Sequence, residues 1–191
     1  MTSLFEQAIA GFDAVHAEDP EKDGAGRPKE LVYAQRMSAW LEKLAPQASE
    51  PLRLAVRCQH IRRWVIRRAD YPEGVDGYRK WRADEAASHA LIAREILQKA
   101  GYDARTVQRI QSLVRKERLK QDPETQLLED VTCLVFLEHQ FVEFAAKHDE
   151  PTLLRILRKT WNKMSSRGHE AALALKLPAP LRAIIDKALA E

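Results

Sequence analysis

Apolar residues recur every three or four positions through almost the whole chain, and no sustained run alternates apolar with polar, so the pattern predicts helices and argues against a sheet. Residues 3 to 16 predict an amphipathic helix with Leu4, Phe5, Ile9, Phe12 and Val15 inward, followed by HAEDP and the exposed loop PEKDGAGRPKE. A second helix spans 31 to 44, with Leu31, Met37, Trp40, Leu41 and Leu44 facing a core. Ser49 to Asp70 reads as one helix: Ser49 caps it, Pro51 fits the first turn, and Leu54, Cys58, Ile61 and Val65 form its inward stripe. After the Pro/Gly loop YPEGVDGY, residues 78 to 100 predict a fourth helix stopped by Gly101, and Asp103 caps a fifth that runs to about Lys116. Pro123 starts the sixth, PETQLLEDVTCLVFLEHQFVEFAAKH. Its centre, Val131 to Leu137, is apolar nearly all round, as expected of the central helix of a bundle. A seventh helix runs to about Met164, and short ones at 166 to 175 and 180 to 190 are separated by Pro178 and Pro180. The expected architecture is an all-α, single helical domain over 1–191. It has a core at 31–141, an N-terminal helix and loop at 1–30, and C-terminal helices at 149–191 packing on that core.

Composition adds little to this pattern but narrows the chemistry. A net charge of +3, from 31 basic and 28 acidic residues, does not by itself imply nucleic acid, so any basic patch must be local. Cys58 and Cys133 fall among apolar neighbours inside predicted helices and read as buried reduced thiols rather than a disulfide. The segment MTSLFEQAIAGF lacks the basic and long apolar parts of a signal peptide, and no stretch is apolar enough for a membrane span. A cytoplasmic protein with no membrane partner is the expectation.

The 49–70 stretch carries the strongest chemical signal. At about 100° of rotation per residue, Arg53, Arg57, His60, Trp64 and Arg67 share one edge of a helix, a set suited to phosphate or carboxylate held beside a flat apolar group. A solvated basic face with a half-buried Trp is the plainer reading. Glu129 and Asp130 sit at the edge of the driest part of the sixth helix, where a carboxylate needs a cation, a metal or several donors. The nearest obvious cations in this reading are on the Arg-rich helix. His89 reads equally as a half-buried, hydrogen-bonded histidine or as an auxiliary acid or ligand, and Lys116, just after the fifth helix, could contact an anion. Trp64, Trp81 and Trp161, each near Arg or Lys, suit a stacked, negatively charged ligand. His16 and Asp19 in HAED read chiefly as helix-ending residues.

The order of pieces from 31 to 141 resembles the HD-domain superfamily of helical phosphohydrolases. LRLAVRCQHIRRW resembles the helix with its His-Asp pair, and LVRKERLKQDPETQLLEDVTCLVFLE the segment leading to its last aspartate. The resemblance implies roles for His60 and Asp130 at a divalent metal that activates water. Ile61 stands where the paired Asp belongs and Tyr33 where the upstream His belongs, so two of the four usual ligands are absent. The phrases HAEDP, RCQHIRRW, YRKWR, LVRKERL, DPETQLLEDVTCLVFLE and KTWNKMSSRGHEAAL resemble an uncharacterised family of bacterial and fungal proteins, of unknown function and sometimes labelled glutamyl-tRNA synthetase. KMSSR at 163 to 167 is similar to the KMSKS loop of class I synthetases. That loop works beside a Rossmann domain for which this chain shows no strands, and the simpler role for Ser165 or Ser166 is to cap the next helix.

Three functional expectations follow. In the first, an HD-like phosphohydrolase or related enzyme acts on a nucleotide-like or phosphorylated small molecule. Arg36, Arg57, Trp64, Arg67, Arg82, His89 and Lys116 would bind it, and His60, Asp130 and Glu129 would carry the chemistry. In the second, the chain is a nonenzymatic RNA- or nucleotide-binding module with a continuous basic strip. In the third, Arg57, Arg63 or Arg67 neutralises Glu129 and Asp130 as an internal ion-pair network with no ligand. The resident cofactor is left open by the sequence, as is the oligomeric state.

Overall fold

The computed structural model describes residues 2–190, and among them ten α-helices and no β-strand beyond one isolated bridge, Lys22 with Pro28. The protein is all-α. None of these helices is long and apolar enough to cross a membrane. The chain divides into two compact units, 1–117 and 118–191, with the division inside the 31–141 stretch.

Unit 1 contains α1 (Leu4–Ala17), α2 (Lys29–Leu44), α3 (Glu50–Arg57), α4 (Gly74–Ala100) and α5 (Ala104–Val114). Helix α4 packs on α1 and α5, and α3 packs on α1, α2 and α5. In α1 the buried stripe is Ala8, Phe12 and His16, one per turn, while Leu4 is exposed. Ser3 and Glu6 close a reciprocal capping box at its start. Asp19, 2 % exposed, accepts from the backbone N–H of Glu21 and of Glu30, and so ties the loop after α1 to the first turn of α2. Gly101, at φ 98°, ends α4 in the left-handed conformation expected of a C-terminal glycine.

The expected helix over 49–70 is shorter than its pattern suggested. It begins as read, with Ser49 capping and Pro51 in the first turn, but α3 ends at Arg57. The chain then turns through Arg62, at φ 54°, into two single 3₁₀ turns, Arg63–Val65 and Arg68–Asp70. The reason lies in burial. Cys58, Gln59, His60 and Ile61 are four consecutive buried residues, and continuing α3 would set His60 and Ile61 in line with Arg53 and Arg57, which are only half-buried. Breaking the helix admits all four to the interior. It also removes the shared edge proposed for Arg53, Arg57, His60, Trp64 and Arg67, and it leaves Val65 exposed rather than in a core stripe.

Unit 2 contains α6 (Pro123–Val135), a π-helical turn at Phe136–Gln140, then α7 (Phe141–Ala145), α8 (Glu150–Lys163), α9 (Ser166–Leu173) and α10 (Ala179–Ala190). Helix α8 packs on α10, and α6 packs on α8 and α9. As its all-round apolarity predicts, α6 is deeply buried, with Leu128, Val131, Leu134 and Val135 inaccessible. The widened turn sets Phe136 edge-on to Phe141 and Phe144. Cys58 and Cys133 are both buried thiols, and burial pushes the Cys58 thiol far above its usual range.

Candidate functional site

The buried face of α4 changes character along its length. Ala93, Leu97 and Ala100 pack as ordinary core, but one and two turns earlier the same face carries His89 and Glu85, 4 % and 1 % exposed. Against these polar positions lie Gln59 and His60 from the broken end of α3, and Arg115 and Lys116 from the end of α5. Together with Arg82, Ala83, Ala86 and Val114 they line a cavity of about 260 Å³.

The hydrogen bonds fix the proton on each imidazole. His89 Nδ1 lies 2.7 Å from the Ile61 carbonyl oxygen, which only accepts, so Nδ1 carries the proton and Nε2 presents a bare lone pair. That Nε2 is buried and has no hydrogen-bond partner. At His60 the assignment reverses. Its Nδ1 faces the Arg63 guanidinium at 3.2 Å, so Nδ1 accepts and Nε2 carries the proton. The His60 ring lies flat on Tyr33, with centroids 4.5 Å apart and planes at 8°, and stands 6.0 Å from the His89 ring. Burial keeps both rings neutral, lowering His89 to about 4 and His60 well below 6.5, with Arg63 adding to both depressions.

Two carboxylates complete the cluster. Glu85 Oε2 accepts from Arg82 at 2.9 Å, and Oε1, 3.6 Å from Arg63 Nε, has no hydrogen-bond partner. Burial raises the Glu85 pKa while Arg63 and Arg82 pull it back. Glu30, in the first turn of α2, places Oε2 4.0 Å from His60 Nδ1, and burial raises it to about 7 against the pull of Arg63. Gln59 donates to the Val114 carbonyl at 3.4 Å, leaving its Oε1 buried without a partner. Lys116 holds its place with φ at 55°, a left-handed backbone unusual for a residue with a side chain.

Of the residues singled out from sequence, His60, Arg82, His89 and Lys116 therefore come together around one cavity. The others are held elsewhere. Arg57 makes a two-pronged pair with Asp13, at 2.7 Å through both Nε and Nη2, and its Nη1 donates to Ser38. Arg53 reaches the Pro46 and Ala48 carbonyls and Glu42. Arg67 pairs on the surface with Asp70. Arg36 and Trp64 are half-buried and do not line the cavity, nor does Trp81, whose indole N–H donates to the Ile66 carbonyl. The unpartnered atoms of Gln59 and Glu85, and the roles of Glu30, Arg63 and Arg115, were missed in the sequence. A Glu and a His four residues apart on a face that continues Ala-Leu-Ala was the available signal.

Glu129 and Asp130 belong to unit 2. Asp130 Oδ1 accepts from the Ser165 backbone N–H at 2.8 Å and from Gln126 at 3.1 Å, and Oδ2 accepts from the Ser165 hydroxyl at 2.5 Å. Ser165 in turn caps α9 through the Gly168 N–H. The KMSSR segment is thus the start of a helix pinned by a buried carboxylate. Glu129 lies 3.5 Å from Lys163 and close to the Cys133 thiol.

A divalent ion of the kind the HD resemblance implies does not fit these residues. The Ile61 side chain offers no ligand atom, His60 Nδ1 is turned to a guanidinium, and among the described residues no group of three or more His, Cys, Asp or Glu converges as a metal site.

The family described as a domain of unknown function, DUF4202, matches residues 6–185, and the chain belongs to that family. No curated protein and no solved structure matches the chain.

Proposed function

We propose that this DUF4202 chain is an enzyme that binds a phosphorylated small molecule in the unit 1 cavity and hydrolyses its phosphoester. One observation carries the reading: two neutral histidines with complementary protons, the His60 Nε2–H and the His89 Nε2 lone pair, belong to a cavity flanked by Arg82, Arg115 and Lys116. The three cations suit a phosphate, with Arg82 already oriented by Glu85. His89 Nε2 accepts a proton from the attacking water as its oxygen bonds to phosphorus. The ester P–O bond breaks, the His60 N–H stabilises charge on the phosphoryl group, and the proton returns to the leaving oxygen. The balance is one phosphoester and one water giving one alcohol and one inorganic phosphate.

Incubation of the whole chain with phosphomonoesters tests this by release of inorganic phosphate. Release that falls about 100-fold in His89→Gln and loses saturation at accessible substrate in Lys116→Ala is the expected result. Release unchanged in both variants, or none from any ester by a folded chain, overturns it. Salt-sensitive RNA binding without hydrolysis would favour the nonenzymatic module instead.

A further inference from the structure

We infer that the part of the ligand beyond the phosphate is a polyhydroxylated chain or ring, such as a sugar or polyol, rather than a nucleobase or an amine; the inference rests on the phosphate reading above. Two acceptor atoms of residues lining the cavity, Gln59 Oε1 and Glu85 Oε1, are buried without hydrogen-bond partners, apart from His89 Nε2, which the reaction above gives to the attacking water. A buried acceptor left in this state is costly unless a donor arrives. Among the described residues no donor stands within hydrogen-bond distance of these atoms, so the occupant supplies it.

The kind of donor follows from the surroundings. An ammonium group would enter a space already edged by Arg82, Arg115 and Lys116, with Arg63 behind Glu85. These cations are part-exposed, and at that range they still disfavour a further positive charge. A hydroxyl carries no charge, and it can accept as well as donate, so it serves Glu85 whether or not that carboxyl holds its proton. A nucleobase stacks best on a broad aromatic plane, yet no Phe, Tyr or Trp lines the cavity and one face of the His60 ring is already covered by Tyr33, so the narrower His89 ring and the guanidinium planes are the surfaces left to it. The volume agrees: about 260 Å³ lies below the roughly 300–1,000 Å³ of pockets that take drug-sized molecules.

The test ranks five probes by their shift of the melting temperature and by calorimetry on the whole chain: ribose 5-phosphate, ethyl phosphate, adenosine 5′-monophosphate, inorganic phosphate and free ribose. Ribose 5-phosphate is expected to bind at least about tenfold tighter than ethyl phosphate, the worth of one good hydrogen bond or more. Adenosine monophosphate is expected to bind more weakly than ribose 5-phosphate. Gln59→Met, which removes the acceptor at similar volume, should narrow the gap by weakening ribose 5-phosphate about five- to tenfold while leaving ethyl phosphate unchanged. If that variant does not fold, the ranking on the parent chain decides. Equal affinity for ribose 5-phosphate and ethyl phosphate, or tighter binding of adenosine monophosphate, overturns the hydroxyl inference and leaves the phosphate reading standing. No shift with any phosphate means that water fills the cavity and overturns both.

Discussion

Both units bury carboxylates, and they treat them in opposite ways. In unit 2, Asp130 receives a backbone N–H, a hydroxyl and an amide, all from the chain itself, and its work is to seat Ser165 at the start of α9. In unit 1, Glu85 and its neighbours His89 and Gln59 reach the interior with acceptor atoms still waiting. A buried polar group whose bonds are complete holds the fold together. One whose bonds are incomplete, beside open volume, is where the proposed ligand would find its hydrogen bonds. Burial alone would have ranked Asp130 with Glu85, at 2 % and 1 % exposed. The bonding separates them.

The largest effect that can test this contrast is at Asp130. Asp130→Ala strands the Ser165 N–H and hydroxyl, and should lower the unfolding free energy by about 3 kcal/mol in guanidinium titration, with faster amide exchange along α9. A loss under about 1 kcal/mol would mean that the carboxylate is not the pin it resembles. Gly168 sharpens the same point, since a Cβ there would sit 2.7 Å from Asp130 Oδ1.

A comparable effect, dependent on pH, belongs to Glu30. Its pKa is raised on folding from the usual 4.5 to about 7, so the folded state holds the proton more tightly than the unfolded chain does. That stabilisation is complete below pH 4.5 and is lost as pH rises through about 7. Glu30→Gln removes the loss. The variant should therefore gain on the parent by up to about 3 kcal/mol between pH 4 and pH 8. His16 and His89, both lowered to about 4, slope the other way, with stability lost as pH falls from 6.5, but they occur in both proteins and cancel in the difference. A pH-independent difference would show that Glu30 is not held in a dry setting.

The smallest effect is at Arg57, a saturated cation like the saturated Asp130. Arg57→Lys breaks the two-pronged pair with Asp13 and should reduce stability by about 1–2 kcal/mol while leaving ligand binding as in the parent. Weakened binding of ribose 5-phosphate in this variant would return Arg57 to the site.

Most of the fold was legible, and the reason is periodicity. Caps at Ser49 and Asp103, prolines at helix starts and Gly101 at a helix end speak locally, and nothing in the tertiary structure overrode them. Three departures stand out: YPEGVDGY, expected as a loop, is helical from Gly74, the sixth helix is interrupted by the π turn at Phe136–Gln140, and the expected helix over 49–70 stops at Arg57. The last is where the site begins, because a period of 3.6 residues describes one face and residues 58–61 are inward on all sides of a helix that is otherwise half exposed. The arginines illustrate the other blind spot. Sequence shows a guanidinium without its counter-ion, so Arg57 and Arg67 looked available although Asp13, forty-four residues away, and Asp70 already engage them. Arg82 is engaged as well, by Glu85, but its partner lines the cavity with it.

The left-handed turn at Lys116 has one more consequence. Glycine adopts that backbone freely, whereas lysine is held there against its preference. Lys116→Gly would thus relieve the backbone and remove a charge from the lining of the cavity in one step. On the reading proposed above, heat resistance and anion binding are set against each other at this residue, and a chain selected only for endurance would be expected to lose the anion.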